Sequence, residues 1–305
     1  MKSDPPPSQD ARYAFFEQAT DIDVIAHRGG NGQWPGETNY AFIRALASGT
    51  DVIEMDVWGT ADHILVLMHS SDISKVTEGS GKVSSLEFEE LKDLNAAHQW
   101  SPDGRRTFPF AGIKPEPDLK VTKLEKVFER FRDRRMNIEI KQKRPSIVKP
   151  FLDLVQQFEV PAKNLLIASF YTGVLKEFRR ECEQRGLPIA TSASTWEWMR
   201  FYFGYHLFHI PYRPPTQALQ MAERLPVLRF WLLSRRFIQK AHDAGLKVHA
   251  WTVDDPIDMQ RAIVNGIDGI ITDFPGPLRA IMDEPDRDRS LHQDENSLNN
   301  TAAPQ

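Results

Sequence analysis

The stretch Val52-Ile53-Glu54-Met55-Asp56-Val57 has the composition of a strand buried on both faces, yet it carries two carboxylates. Residues two apart on a strand share a face, so Glu54 and Asp56 project the same way, with their Cα atoms about 6–7 Å apart. Among apolar neighbours the two charges would repel each other unless a cation lay between them. We therefore favour a metal site here over a pair of strand-end charges that reach solvent.

Similar apolar strands recur on both sides of this one and alternate with helical patterns. The alternation predicts a parallel sheet, and about eight such units predict a (β/α)8 TIM barrel. Nine strand patterns compete for the eight places, so at least one assignment is expected to fail. The predicted strands are 24–27, 52–56, 64–69, 137–141, 165–169, 189–192, 246–253 and 269–272, with a weaker one at 218–221; the predicted helices are 40–48, 85–94, 123–132, 146–158, 172–185, 234–244 and 256–264.

The barrel domain is predicted to span 21–282. The proline-rich segment 1–20 and the polar segment 283–305 are expected to stay mobile, because they have too little apolar surface to offset the entropy lost on ordering. Residues 57–63 are too few for a crossover helix, so this connection is either reduced or a hairpin. Residues 70–118 are too long for a simple loop and are predicted as an insertion, after the third strand, that caps one barrel mouth.

Composition excludes several classes of protein. Lys and Arg number 38 against 42 Asp and Glu, a net charge of −4 that argues against a nucleic-acid partner. The sequence has no apolar run long enough for a transmembrane segment and no leader-like apolar stretch at its start, so we expect a cytoplasmic protein, with membrane association as an option. The single cysteine, Cys182, rules out an internal disulfide and, between two glutamates, is not expected to be a nucleophile.

Polar residues with catalytic potential follow the apolar strands. His27 and Arg28 end the first strand and precede two glycines, where a barrel places its active site, although a strand-end histidine can also simply cap backbone. Glu139 and Lys141 share a strand face. Glu139 would complete a three-carboxylate set suited to Mg²⁺ or Ca²⁺, and Lys141 would meet an anionic substrate. The alternative is a self-neutralising ion pair between these two residues.

Two further strand ends carry candidate residues. His69 closes its strand as His27 does, and two imidazoles near a metal can divide general-base and general-acid work. Trp251 ends another strand, although an indole at a strand end is more often part of a core. The polar groups of residues 271–275 are weak indicators when taken alone.

In this order, the motifs resemble the glycerophosphodiester phosphodiesterase family from His27 to Pro275. The resemblance rests on His-Arg-Gly, Glu-x-Asp, the strand-ending His69, Glu-Ile-Lys, Trp-Thr-Val and the run Asp-Gly-Ile-Ile-Thr-Asp-Phe-Pro. It implies a TIM barrel that hydrolyses glycerophosphodiesters to an alcohol and sn-glycerol 3-phosphate, with a reduced second connection and a cap. The implied site residues are His27 and His69 as acid–base pair, Glu54, Asp56 and Glu139 as ligands of a divalent cation, Arg28 and Lys141 at the substrate phosphate, and Trp251 lining the site.

The chain departs from the usual family pattern in three places. The family usually shows Pro-Glu-Asn-Thr, whereas this sequence has Pro-Gly-Glu-Thr-Asn, so Gly36 occupies the customary glutamate position and Glu37 the asparagine position. We therefore keep Glu37 as a further candidate substrate-binding residue. Ser70 replaces the acid that commonly follows the strand-ending histidine, and Asp254 replaces a common asparagine.

Segment 196–212 contains eight aromatic residues in seventeen. As a hypothesis, it forms an apolar wall for an acyl chain or a peripheral membrane anchor, since amphipathic aromatics favour lipid boundaries. Its end, 208–212, resembles the lysophospholipase D-type members of the family, which implies lysophospholipid hydrolysis to lysophosphatidic acid as the alternative function. The competing interpretation is a core-packing helix and loop, in which His206 and His209 pack rather than bind metal.

Two other functions compete with these. A related barrel phosphodiesterase that acts on sphingolipid head groups is disfavoured by the long 70–118 insertion. A non-catalytic barrel that binds lipid or phosphate is disfavoured by the presence of both histidines, all three carboxylates and Lys141.

Overall fold

Eight parallel strands form a nearly closed barrel in the computed structural model, which describes residues 13–19, 22–208, 210–223 and 232–284. The strands are β1 (Asp23–Ala26), β2 (Val52–Gly59), β3 (Leu65–Leu67), β4 (Arg135–Ile140), β5 (Leu165–Ala168), β6 (Ala190–Thr191), β7 (Ala218–Ala222), β8 (Lys247–Trp251) and β9 (Gly269–Thr272). Their spatial order is β6-β5-β4-β2-β1-β9-β8-β7, and a parallel bridge between Ser192 and Ala218 joins the two ends. The predicted TIM barrel is confirmed.

The third strand lies outside the barrel. β3 pairs antiparallel with β2, with Val57 opposite Leu67 and Gly59 opposite Leu65. All nine predicted strands form, so the expectation that one assignment would fail is wrong: eight strands form the barrel and β3 is the hairpin partner of β2. Of the two predicted alternatives for the short 57–63 connection, a reduced crossover and a hairpin, the structure has the hairpin. An antiparallel pair needs only a tight turn between its strands.

Helices cover the outside of the barrel, and side chains cap the first turns of several of them. The Thr38 hydroxyl accepts a hydrogen bond from the Ala41 amide at 3.1 Å, and Ser234 and Asp255 cap later helices in the same way. The helices are α1 (Asn39–Ala47), α2 (Phe88–Leu91), α3 (Leu124–Phe131), α4 (Val148–Gln157), α5 (Thr172–Arg185), α6 (Thr195–Met199), α7 (Arg235–Asp243), α8 (Pro256–Val264) and α9 (Pro275–Asp283), and a π-helix (Arg200–Leu207) continues α6.

Sequence patterns did not predict α9, and a helix in the region of α6 and the π-helix was only the competing interpretation of segment 196–212. α9 begins Pro-Gly-Pro, residues that break a helix interior but are tolerated in a first turn whose amides have no intrahelical acceptor. None of the described helices has the length and apolar character needed to cross a membrane.

The bottom of the barrel is closed by the segment before β1. Phe15 is fully buried, and the Arg135 guanidinium lies 4.3 Å from its ring centroid while binding both oxygens of Asp23 at 2.6 and 2.7 Å. Packing therefore begins earlier than the predicted boundary at residue 21, because two aromatic residues at 15 and 16 supply the apolar surface. Residues 1–12 and most of the predicted polar tail lie outside the described residues.

The insertion 70–118 follows β3 and lies beside the barrel mouth. It shares a small apolar core with β3 that includes Met68, Ile73, Val83 and Leu91. The Trp100 indole N–H donates to the Asn31 carbonyl oxygen at 2.7 Å, which ties the insertion to the loop between β1 and α1.

Candidate active site

Strand register brings the predicted carboxylates together at the barrel mouth. Asp56 of β2 lies directly opposite Glu139 of β4, and Glu54 lies opposite Asn137. One oxygen from each of Glu54, Asp56 and Glu139 lies within 4.8 Å of the others. The two strands thus present their polar side chains on the inner face of the barrel, as the period of two predicts.

The oxygen donors fit a divalent cation. Burial and the charge of Asp56 raise the pKa of Glu139 to about 7 and raise the pKa of Glu54 as well, so the cluster is short of positive charge. Among the described residues nothing donates a hydrogen bond to Glu139 Oε1 or to Asn137 Oδ1, although both atoms are buried. Carboxylate and amide oxygens are the ligands that Mg²⁺ and Ca²⁺ prefer. Asn137 is an additional candidate metal ligand. Sequence could have indicated it, because Asn137 lies two residues before Glu139 and so shares its strand face.

Asp56 lies at the centre of the charged groups. Its carboxylate is 2.8 Å from His69 Nδ1, 3.2 Å from Lys141 Nζ and 3.5 Å from Arg28 Nε. Burial opposes ionisation of Asp56, but the His69 hydrogen bond and the two cations outweigh it and lower its pKa. Asp56 is therefore an anion that orients three other site residues.

Lys141 satisfies both interpretations of its strand position. Its ammonium is 2.8 Å from Glu139 Oε2, so the ion pair forms, and it also lines the cavity at the barrel mouth. Burial opposes the charge, but Asp56 and Glu139 outweigh this effect and raise the pKa of Lys141. Lys141 consequently stays cationic and accessible to an anionic ligand.

His27 is held by a residue at the far end of the barrel sequence. Its Nδ1 and Asp273 Oδ1 hydrogen-bond at 2.7 Å. Burial disfavours the imidazolium, yet this hydrogen bond and the charge of Glu54 outweigh burial and raise the pKa of His27. Asp254 Oδ1 in turn accepts from the Asp273 amide at 2.8 Å. Sequence reasoning singled out the motif around Asp273 but not this residue as part of the site.

The turn after β1 wraps the backbone around Glu54. Arg28 has the left-handed φ of 51°, and its amide donates to Glu54 Oε2 at 2.7 Å. Gly29 follows with a φ of 83°, and a Cβ there would lie 2.8 Å from Ala41 Cβ. Only glycine tolerates both this conformation and this contact, so the glycine lets the histidine turn pack on α1.

Glu37 lies under the site and is buried. Its two oxygens accept from the Asp56 amide at 3.0 and 3.2 Å. Burial, together with the charges of Asp56 and Glu54, raises its pKa well above the ordinary value. Through these hydrogen bonds Glu37 stabilises the backbone of β2 at Asp56.

Most of the candidate site residues line one cavity of about 260 Å³ at the barrel mouth. Trp251 and Phe170 form one wall, with ring centroids 5.7 Å apart. Both histidines line this cavity, so the acid–base candidates and the carboxylates face the same space. The candidate residues that line it are His27, Arg28, Glu54, His69, Glu139, Lys141 and Trp251; Asp56 lies beneath.

A family model described as the glycerophosphoryl diester phosphodiesterase family matches residues 27–277. The chain belongs to this family. The family, the barrel fold and the enzyme class predicted from sequence, a phosphoric diester hydrolase, are confirmed.

Relatives within the family extend over most of the chain. A glycerophosphodiester phosphodiesterase from Caldanaerobacter subterraneus is 29% identical, over 84% of this chain and 95% of that protein. Lysophospholipase D GDPD3 from Homo sapiens is 25% identical, over 86% of this chain and 85% of that protein. The structure of an Oleispira antarctica phosphodiesterase in complex with the product sn-glycerol-3-phosphate has a TM-score of 0.68 at 20% identity, covering 88% of this chain and 99% of that one.

In the present protein, the aromatic segment 196–212 contributes side chains to both the core and the surface. Phe201 is fully buried, whereas Trp196 is 62% and Phe208 71% exposed. His206 lies against the rings of Tyr202 and Phe237, as the packing interpretation predicts, and His209 lies outside the described residues. Burial raises the pKa of Cys182 to about 12, so the cysteine is unsuited to nucleophilic chemistry, as predicted.

Proposed function

We propose that the protein hydrolyses glycerophosphodiesters to an alcohol and sn-glycerol 3-phosphate with a divalent cation, Mg²⁺ or Ca²⁺, held by Glu54, Asp56 and Glu139. The observation that carries the proposal is the convergence of these carboxylates and two carboxylate-held histidines on one cavity. The family assignment supports the same chemistry.

A phosphodiester is an anion that repels nucleophiles, so its charge must be offset. Arg28 and Lys141 line the cavity as the cations available to the phosphate. A divalent cation held by Glu54, Asp56 and Glu139 would supply Lewis-acid polarisation of the phosphoryl group. The carboxylates lie in a buried site, where electrostatic interactions are stronger than in water.

Proton transfer falls to the two histidines. Each is engaged at Nδ1 by a carboxylate, His27 by Asp273 and His69 by Asp56, which leaves Nε2 for the substrate. One imidazole takes the proton of the attacking hydroxyl, from water or from a neighbouring substrate hydroxyl, as the new P–O bond forms. The other gives a proton to the departing alkoxide as the bond to the head group breaks.

Release of sn-glycerol 3-phosphate from glycerophosphocholine tests this function. We expect activity that a chelator removes and added Mg²⁺ or Ca²⁺ restores, and that is lost in Glu139→Gln and in His27→Asn. Glu129→Gln, an exposed glutamate on α3, is the matched control. Binding of substrate without turnover at any metal concentration would favour the non-catalytic barrel instead.

A second candidate function, lysophospholipase D-type hydrolysis, is favoured by the apolar surface beside the cavity. Phe170 lines the cavity and its carbonyl accepts from the Thr195 amide, next to the exposed Trp196. Further exposed apolar side chains follow in the same segment of the chain, and we infer that an acyl chain leaving the cavity would contact them. As part of the same proposal, the protein is cytoplasmic and contacts membranes peripherally through segment 196–212. The exposed apolar side chains of this region are Phe170, Tyr171, Trp196, Phe203, Leu207, Phe208 and Ile210.

Rates on lysophosphatidylcholine and on glycerophosphocholine separate the two functions. If an acyl chain uses the apolar surface, the acylated substrate has the higher kcat/KM. A clear preference for glycerophosphocholine would reject the acyl-chain proposal and leave the phosphodiesterase proposal intact.

A further inference from the structure

A second cavity of about 300 Å³ lies between the barrel mouth and the insertion 70–118. Arg28 and His69 line both this cavity and the catalytic one, so the two spaces meet at the candidate phosphate-binding and proton-transfer groups. A diester has two alcohol components on either side of one phosphorus. The pair of cavities therefore offers one space to each component.

The linings of the two cavities differ in chemistry. The catalytic cavity includes Ala168, Phe170, Trp251 and Ile271, which suit a glyceryl or acylglyceryl component. The second cavity is lined from the insertion by cationic and amide side chains. These side chains are Lys75, Arg105 and Gln99, and the indole of Trp100 lies beside them.

The charge of the second cavity is positive. Arg28, Lys75 and Arg105 contribute three cations, and among the described residues of the lining the only carboxyl group is that of Glu37, which is buried and accepts from the Asp56 amide. Recognition of a quaternary ammonium uses aromatic faces and negative charge. Among the described lining residues Trp100 is the one Trp, Tyr or Phe, and its indole N–H donates to the Asn31 carbonyl oxygen.

The loop that begins at Arg28 forms part of the wall of this cavity, through Arg28, Asn31 and Gly36. A Cβ at Gly36 would lie 2.7 Å from Asn31 Oδ1 and 3.0 Å from Arg28 Cβ. A side chain at position 36 would thus displace the loop on which Trp100 anchors the insertion. The departure from the family pattern at this position is consistent with a tightly packed wall for the second cavity.

We propose that the second cavity is the head-group subsite, and that it selects oxygen-rich head groups without positive charge, such as inositol or glycerol, over choline. The inference rests on the proposed function and specifies its substrate class. Lys75 and Arg105 donate hydrogen bonds to head-group hydroxyls and repel a quaternary ammonium, and Gln99 adds an amide to the same wall.

The test compares kcat/KM for glycerophosphoinositol and glycerophosphocholine in wild type and in the double variant Lys75→Gln/Arg105→Asn. Asparagine is chosen because Arg105 has a φ of 71°, a region that asparagine tolerates. Both side chains are exposed, so their replacement leaves the core unchanged. The matched control is Lys82→Gln/Arg106→Asn, two exposed insertion cations that do not line the cavity.

We expect wild type and control to prefer glycerophosphoinositol, and the double variant to lower the inositol-to-choline ratio by about five- to tenfold, as the loss of two exposed charge interactions implies. A ratio that favours choline in wild type, or that is equal in the two double variants, would overturn the head-group inference while the proposed function stands. Failure to hydrolyse any glycerophosphodiester with metal present would overturn both.

Discussion

His69 Nδ1 lies 2.8 Å from Asp56 Oδ2, and the two residues are neighbours because a strand outside the barrel folds back on β2. The Met68 amide donates to the Asp56 carbonyl oxygen at 3.0 Å, which continues the antiparallel pairing to the residue before His69. The hairpin that replaces a crossover helix thus places an imidazole beside the candidate metal ligands Glu54, Asp56 and Glu139. Asp56 then serves both the cluster and the orientation of His69.

Asp273 is expected to set the pH range in which His27 works. In Asp273→Asn the carboxylate that hydrogen-bonds the imidazole is lost, so the pKa of His27 falls, and the limb of the kcat/KM profile that reports it moves to lower pH. The profile is measured on glycerophosphocholine with saturating metal. Asp243→Asn, an exposed aspartate on α7, leaves the limb in place. A limb that stays put in Asp273→Asn would contradict this assignment.

Glu139 is expected to cost stability when no metal is bound. Its pKa is raised to about 7 by burial and by Asp56, so at pH 8 the folded protein carries a disfavoured carboxylate. In chelator at pH 8, Glu139→Gln should be more stable than wild type by about 1–3 kcal/mol, and the difference should shrink toward pH 5, where the folded wild type holds the proton.

The same variant should lose the rise in unfolding midpoint that Mg²⁺ or Ca²⁺ gives wild type, since binding to the folded state alone stabilises it. Thermal unfolding with and without metal measures both effects. An unchanged metal response in Glu139→Gln would remove Glu139 from the ligand set.

His249 is expected to make the fold sensitive to acid. Burial lowers its pKa to about 4, so the folded state keeps it neutral while the unfolded chain protonates it near pH 6.5. Stability is therefore lost as pH falls from about 6.5 to 4, by about 2 kcal/mol between pH 7 and 5. In urea unfolding, His249→Gln should lack this part of the pH slope. Parallel slopes for the two proteins would contradict the assignment.

The exposed aromatics are expected to matter for acylated substrates alone. Trp196→Ser/Phe208→Ser should lower kcat/KM for lysophosphatidylcholine by about tenfold, because two apolar contacts with the bound acyl chain are lost. The kcat/KM for glycerophosphocholine should stay unchanged. Ile113→Ser, a half-exposed apolar residue of the insertion, is the control. Equal losses on both substrates would point to a packing role for the segment.

Local pattern was enough for much of the fold and the site. The apolar strands, the helices between them and the shared face of Glu54 and Asp56 follow from periodicities of two and 3.6, which are properties of neighbouring residues. The two strand-ending histidines were found for the same reason.

The tertiary structure alone decided which strand ends face one another. Register between β2 and β4 sets Asn137 opposite Glu54, closure of the barrel brings Asp273 to His27 across 246 positions of sequence, and the insertion reaches the loop of Arg28 through Trp100. These contacts depend on long-range pairing and on packing between distant segments, and no window of neighbouring residues encodes them.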